Sequence, residues 1–105
     1  MKKLSQSQVE ARIEHLDGWE TDESGGLMQK EYRFNDFKEA MRFVNAIAVH
    51  AEEMQHHPDI CISYNSVVCM VTTHEKEGLT EADFKLVKAI EKEAAANVDE
   101  SGKGE

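Results

Sequence analysis

A chain of 105 residues, 40% hydrophobic and 31% charged, has room for one globular domain and none for a separate substrate domain. Its 21 acidic against 12 basic residues give a formal net charge of -9, which repels phosphate backbones and argues against a nucleic-acid partner. No apolar run reaches the length of a membrane span, and the opening Met1-Lys2-Lys3-Leu4-Ser5-Gln6 lacks the apolar stretch of a secretory signal, so a cytoplasmic location with no membrane partner is expected.

The first element is a helix: Ser5 and Gln8 have capping-box spacing, and Val9, Ile13 and Leu16 recur at helical intervals before Asp17-Gly18. Trp19 to Thr21 and Leu27 to Phe34 flank a polar turn, Asp22 to Gly26, as the strands of a hairpin do. Phe37, Ala40, Met41, Val44, Ile47, Ala48 and Ala51 form one apolar stripe, so the spacing predicts a long helix from Asp36 to about Met54, ended by the polar Gln55 to Asp59 with its single proline, Pro58. Ile60 to Tyr64 and Val67 to His74 predict a second hairpin around Asn65-Ser66; the unbroken apolar run Val67 to Val71 predicts a sheet covered on both faces, either by helices or by another subunit. After Gly78, Thr80 caps a third helix with Leu86, Val87, Ile90 and Ala94 on one stripe. Residues 1–96 form the domain, and the polar 97–105 are expected to be a disordered tail.

The order α-β-β-α-β-β-α implies an α+β fold, with a four-stranded antiparallel sheet and three helices packed on one face. A two-residue turn at Asn65-Ser66 sets Ile62 against Cys69 and Cys61 against Met70, which puts the two cysteines on opposite faces of the sheet as reduced, buried thiols. The same register, carried outward, brings His57 opposite His74. A core this thin also makes an oligomer an expectation.

The chemistry-bearing segment is Glu52-Glu53-Met54-Gln55-His56-His57-Pro58-Asp59, followed by Thr72-Thr73-His74-Glu75; four of the five histidines lie between His50 and His74. Histidine titrates near neutrality, so such a cluster supplies both an acid and a base, the two roles a dehydration needs. Glu52 at the helix end and Asp83 in the first turn of the third helix are placed to orient a heterocycle. Taken alone, a His-His-Pro turn is more often a solvated loop than an active site, and Asp83 is more often a helix-terminal carboxylate. A metal site built from His56 or His57, His74 and Glu52 is a further alternative. Against it, adjacent histidines tend to point apart, and the tight histidine and carboxylate motifs of zinc hydrolases are missing. His15 and His50 are read as structural or solvated.

Glu52, three residues, His56-His57-Pro58, five residues, Tyr64, nine residues, His74, eight residues and Asp83 together resemble the signature of the pterin-4a-carbinolamine dehydratases. Trp19 after Gly18 and Phe34-Asn35-Asp36-Phe37 extend the resemblance over nearly the whole chain except its tail. The resemblance implies an α+β fold assembled into homodimers or homotetramers, and a hydro-lyase that converts 4a-hydroxytetrahydrobiopterin to quinonoid dihydrobiopterin without metal or other cofactor. Such an enzyme recycles the tetrahydropterin of an aromatic amino acid hydroxylase. It also implies His56, His57 and His74 as catalytic residues and pterin contacts at Glu52, Gln55, Pro58, Thr72, Thr73, Glu75 and Asp83. Gln55 stands where animal members carry an acidic residue and Ile60 where they carry a tryptophan, which makes the expected pocket less aromatic. Nothing in the sequence carries over the animal members' second role with a homeodomain transcription factor. The alternative of another class is a non-catalytic relative that kept the fold as a binding or assembly module.

Overall fold

The computed structural model of the chain describes residues 2–103. In chain order it contains α1 (Gln6–Ile13), β1 (Glu20–Thr21), β2 (Met28–Arg33), α2 (Phe37–Met54), β3 (Asp59–Ser63), β4 (Ser66–Val71), a short 3-10 turn (His74–Lys76) and α3 (Glu81–Lys103). The α+β order and the four-stranded antiparallel sheet are as the sequence predicts, with strand order β1-β2-β4-β3. Helical backbone continues to Lys103, where composition predicts a tail from Asn97; residues 104 and 105 lie outside the described residues. Extending a helix that is already nucleated gains one hydrogen bond per residue, so a polar stretch can follow a packed one.

Each helix starts on a side-chain cap. The Ser5 hydroxyl accepts from the Gln8 amide at 3.2 Å while the Ser5 amide donates to Gln8 Oε1 at 2.8 Å, a complete capping box for α1. That helix stops at Ile13, and Leu16 packs on the core from the turn beyond it. Asp36 accepts from the Glu39 amide at 2.8 Å to start α2, and the Thr80 hydroxyl accepts from the Ala82 amide at 3.2 Å to start α3.

Helix α2 turns its buried stripe through Ala40, Phe43, Ile47 and Ala51. Phe37 and Ala48, expected on that stripe, are exposed. Aromatic packing decides the rotation: the Phe43 ring sits 5.0 Å from Tyr32 and 4.9 Å from Phe34, contacts that a helical period alone does not reveal. Met28, Tyr32, Val67, Cys69 and Val71 point from the sheet into this core, against Leu86, Val87 and Ile90 of α3. Burying each large side chain of this kind contributes roughly 1.5–3 kcal/mol. Val68 and Met70 face the other way and remain half-buried, so within the single chain only one face of the sheet is fully covered, not both.

The β3–β4 hairpin departs from the expected register. Ser63 pairs with Ser66, Ile62 with Val67 and Ile60 with Cys69, so the turn is Tyr64-Asn65 rather than Asn65-Ser66. Asn65 is clamped to the end of β2: its carbonyl accepts from the Phe34 amide at 2.8 Å and its side-chain amide donates to the Phe34 carbonyl at 2.9 Å. That clamp puts Tyr64 at φ 54°, a backbone region that favours glycine. A shift of two residues preserves which face each side chain occupies, so the cysteines still point apart. Both are free thiols, but only Cys69 is buried; Cys61 lies exposed on the open face, which corrects the expectation that both are buried.

Candidate active site

The C-terminus of α2 shapes one wall of the site. Gln55 adopts a left-handed conformation (φ 53°), its amide donates to the Glu52 carbonyl at 3.3 Å, and the His56 amide donates to the Ala51 carbonyl at 3.1 Å. This is the Schellman pattern that ends a helix by reversing the chain. His56 and His57 are thrown off the helix end, and Pro58 biases His57 toward extended geometry leading into β3. On the neighbouring strand, β4 ends at Val71, and the Thr73 amide donates to the Gly78 carbonyl at 2.9 Å, closing a small loop whose 3-10 turn begins at His74. Extending the observed register past the Asp59–Met70 pair sets His57 level with Thr72, not His74. The turn nevertheless brings His74 back to the same rim.

A cleft of about 210 Å³ opens there, lined by Gln55, His56, His57, Thr72, His74 and Glu75. A second cleft of similar size shares Gln55, His56 and Glu75 and adds Met54, Thr73, Lys76 and Ala82. His56 Nε2 lies 2.6 Å from Asp83 Oδ1, with Asp83 wholly buried and the His56 side chain 15% exposed. His57 Nε2 lies 2.7 Å from Glu52 Oε2, and both of those side chains are mostly in solvent. Two of the three imidazoles are therefore each tied through one ring nitrogen to a carboxylate, one pair buried and one wet. Among the described residues no group of three or more histidine, cysteine, aspartate or glutamate side chains has the arrangement of a metal site.

Of the expected contacts, Gln55, Thr72, Thr73 and Glu75 line one or both clefts together with His56, His57 and His74. The Thr72 hydroxyl is already donated to the Gly26 carbonyl at 2.5 Å, and Thr73 is buried with its hydroxyl on Asp83 Oδ2 at 2.7 Å. Glu52 reaches the site through His57 and Asp83 through His56, while Pro58 lines neither cleft. Met54, Lys76 and Ala82 were not anticipated. Met54 reads as the last apolar residue of α2, and no local pattern reveals that it shares a cleft with Thr73, Glu75 and Lys76 from the loop after β4. Tyr64, a member of the sequence signature, sits 66% exposed in the hairpin turn at the opposite end of β3 from the histidines. A larger cleft of about 430 Å³ lies between α1 and α3. There Arg12 is committed to a bidentate pair with Glu81 at 2.8 and 2.5 Å and stacks 5.1 Å over Phe84, and His15, Lys85 and Lys88 complete the polar part of the lining, with no second histidine or free carboxylate among the described residues beside them.

The model of the family described as pterin 4 alpha carbinolamine dehydratase matches residues 2–93. The chain belongs to that family. Among relatives provisionally named pterin-4-alpha-carbinolamine dehydratases, one from Sulfurisphaera tokodaii is 40% identical over 91 residues, covering 87% of this chain and 96% of the relative. Another from Rhizobium johnstonii is 41% identical over 98 residues, covering 93% and 97%. The crystal structure of a transcriptional coactivator/pterin dehydratase from Brucella melitensis superposes with TM-score 0.84 at 30% identity, covering 89% of this chain and 99% of that one. A pterin dehydratase-like protein identified as a RuBisCO assembly factor in the alpha-carboxysome shares the fold, with TM-score 0.65 at 21% identity over 76% of this chain and 93% of that one. The cleft and its three histidines lie within the matched residues, inside the stretch from Glu52 to Asp83 that carries the sequence signature.

Proposed function

We propose that the chain is a hydro-lyase that removes water from a 4a-hydroxytetrahydropterin, 4a-hydroxytetrahydrobiopterin or a close analogue, to give the quinonoid dihydropterin. The observation that carries this reading is the convergence of His56, His57 and His74 on one cleft, with two of the rings held by carboxylates. Loss of the 4a-hydroxyl is eased by a proton delivered to its oxygen, while a base takes the N5 proton so that the C4a=N5 bond can form. One proton is given and one is taken, so a set of imidazoles that exchange roles returns to its starting state after a proton transfer to or from water. His57 and His74 share the acid and base jobs, and His56 assists. Glu52, Gln55, Thr72, Thr73 and Glu75 form the polar frame around the heterocycle, with Pro58 setting the course of the chain beyond His57 and Asp83 acting from beneath.

In a cell the product would re-enter the cofactor cycle of an aromatic amino acid hydroxylase. The half-buried Val68 and Met70 on the open sheet face support self-association into a dimer or tetramer. The alternative, a binding or assembly module without catalysis, has the fold likeness to the RuBisCO assembly factor in its favour and no feature of the cleft. Stopped-flow decay of a 4a-hydroxytetrahydropterin tests the choice. We expect acceleration by the protein that falls by about 10²-fold or more in His56→Ala, His57→Ala and His74→Ala, the range of a lost general acid or base. Unaltered rates in all three variants would remove the assignment.

A further inference from the structure

The two histidine–carboxylate pairs are built differently. Asp83 has no exposed surface, and both of its oxygens are committed. Oδ2 accepts from the Thr80 amide at 2.9 Å and from the Thr73 hydroxyl at 2.7 Å, and Thr73 and Thr80 share a further hydroxyl contact at 2.9 Å. Those bonds complete the start of α3, where the unpaired amides of the first turn favour a negative group. Capping needs only one carboxylate oxygen. The other, Oδ1, is aimed from this buried carboxylate at His56 Nε2 at 2.6 Å. The Glu52–His57 pair has neither burial nor a second anchor, with side chains 72% and 56% exposed.

We propose that Asp83 is the positioning residue of His56: it holds the ring with its proton on Nε2, so that His56 works through Nδ1. An ionised carboxylate only accepts hydrogen bonds, so the nitrogen facing it must carry the proton, and the neutral ring's lone pair is then on Nδ1. When Nδ1 takes up a proton, the adjacent carboxylate stabilises the imidazolium without itself being protonated, the division of labour of a buried Asp–His pair. Asp83 itself touches no ligand. The assignment rests on the dehydratase reading above, and changes what Asp83 is expected to do within it, from contacting the pterin to fixing the histidine that does.

Asp83→Asn separates the two jobs of the side chain. The asparagine carbonyl can still accept from Thr73 and Thr80, which preserves the cap, but its NH2 group now faces His56 and donates to Nε2, which forces the ring proton to Nδ1. We expect kcat to fall by about 10²-fold or more, with KM changed by no more than about twofold because no contact with the pterin is lost. Long-range 15N–1H correlation spectra of the neutral imidazoles should show His56 protonated at Nε2 in the wild type and at Nδ1 in the variant, a signature that loss of a helix cap does not produce. Wild-type protein whose neutral His56 carries its proton on Nδ1 overturns the proposal, even if the variant fails to fold. So does an active wild type accompanied by an equally active Asp83→Asn. If the wild type leaves pterin decay unaccelerated, the dehydratase reading fails, and the tautomer spectrum then shows separately whether Asp83 holds the ring.

Discussion

Cys69 and Cys61 illustrate how two residues eight positions apart acquire unlike chemistry. Cys69 points into the core between the sheet and its helices, and burial pushes its thiol up to about 12, so it stays protonated and unreactive at neutral pH. Cys61 stands on the uncovered face of an edge strand. A thiol-specific reagent applied at neutral pH should therefore titrate one group per folded chain, and two after denaturation; two fast groups in the native protein would contradict the packing described. The sequence was legible here to the level of faces, because strand alternation survives a register shift of two. Exposure was not legible, because it depends on which face the helices choose. The site residues divide in the same way. His56, His57 and His74 stand out by type and spacing, whereas Asp83's place beneath His56 depends on Thr73 and Thr80 meeting across a loop, which no local pattern encodes.

At the scale of elements, termini decide more than interiors. The cap of α2 lies at the opposite end of that helix from the cleft: Asp36 accepts from the Glu39 amide, and Glu39 reaches back to accept from the Asn35 amide at 2.7 Å. Asp36→Ala should cost about 1 kcal/mol, seen as a lower urea midpoint at unchanged slope, with turnover per folded molecule preserved. Such caps are readable in a sequence since they are local, as Ser5 and Thr80 show, although Asp36 reads there only as the first residue of the helix it caps. The β3–β4 turn is the converse. Asn65-Ser66 is a reasonable turn by composition, yet the chain turns one residue earlier because Asn65 is tied to Phe34, thirty-one positions away. The predicted meeting of His57 and His74 across the ladder fails for that reason, and the two rings share a cleft only through the 3-10 turn that follows β4.

Over the whole molecule, one carboxylate joins the hairpin end of the sheet to α3. Glu91 accepts from Trp19 Nε1 at 2.9 Å, from Lys30 Nζ at 2.9 Å and from the Tyr32 hydroxyl. Burial, and then the bond to Glu91, holds the Tyr32 phenol far above its ordinary range. For Glu91 burial alone raises the pKa, but the hydrogen bonds from Tyr32, Lys30 and Trp19 outweigh it and leave the carboxyl below the usual 4.5. A depressed folded-state value means that the stabilisation is complete above pH 4.5 and is lost as the pH falls through the lowered value. Glu91→Gln should thus lower the melting temperature at neutral pH and flatten its decline below pH 4.5; since the side chain is about a third in solvent, screening keeps the effect modest. Parallel wild-type and variant curves through the acid range would show that this junction contributes nothing to acid sensitivity.

The shared carboxylate at the start of α3 has a consequence for how the protein responds to heat. Asp83 both begins that helix and seats His56, so the first turn of α3 cannot fray without setting the imidazole adrift. Local melting at that one junction is enough to release His56 from its carboxylate while the rest of the sheet is still intact, which makes the beginning of α3 the natural fuse of the molecule.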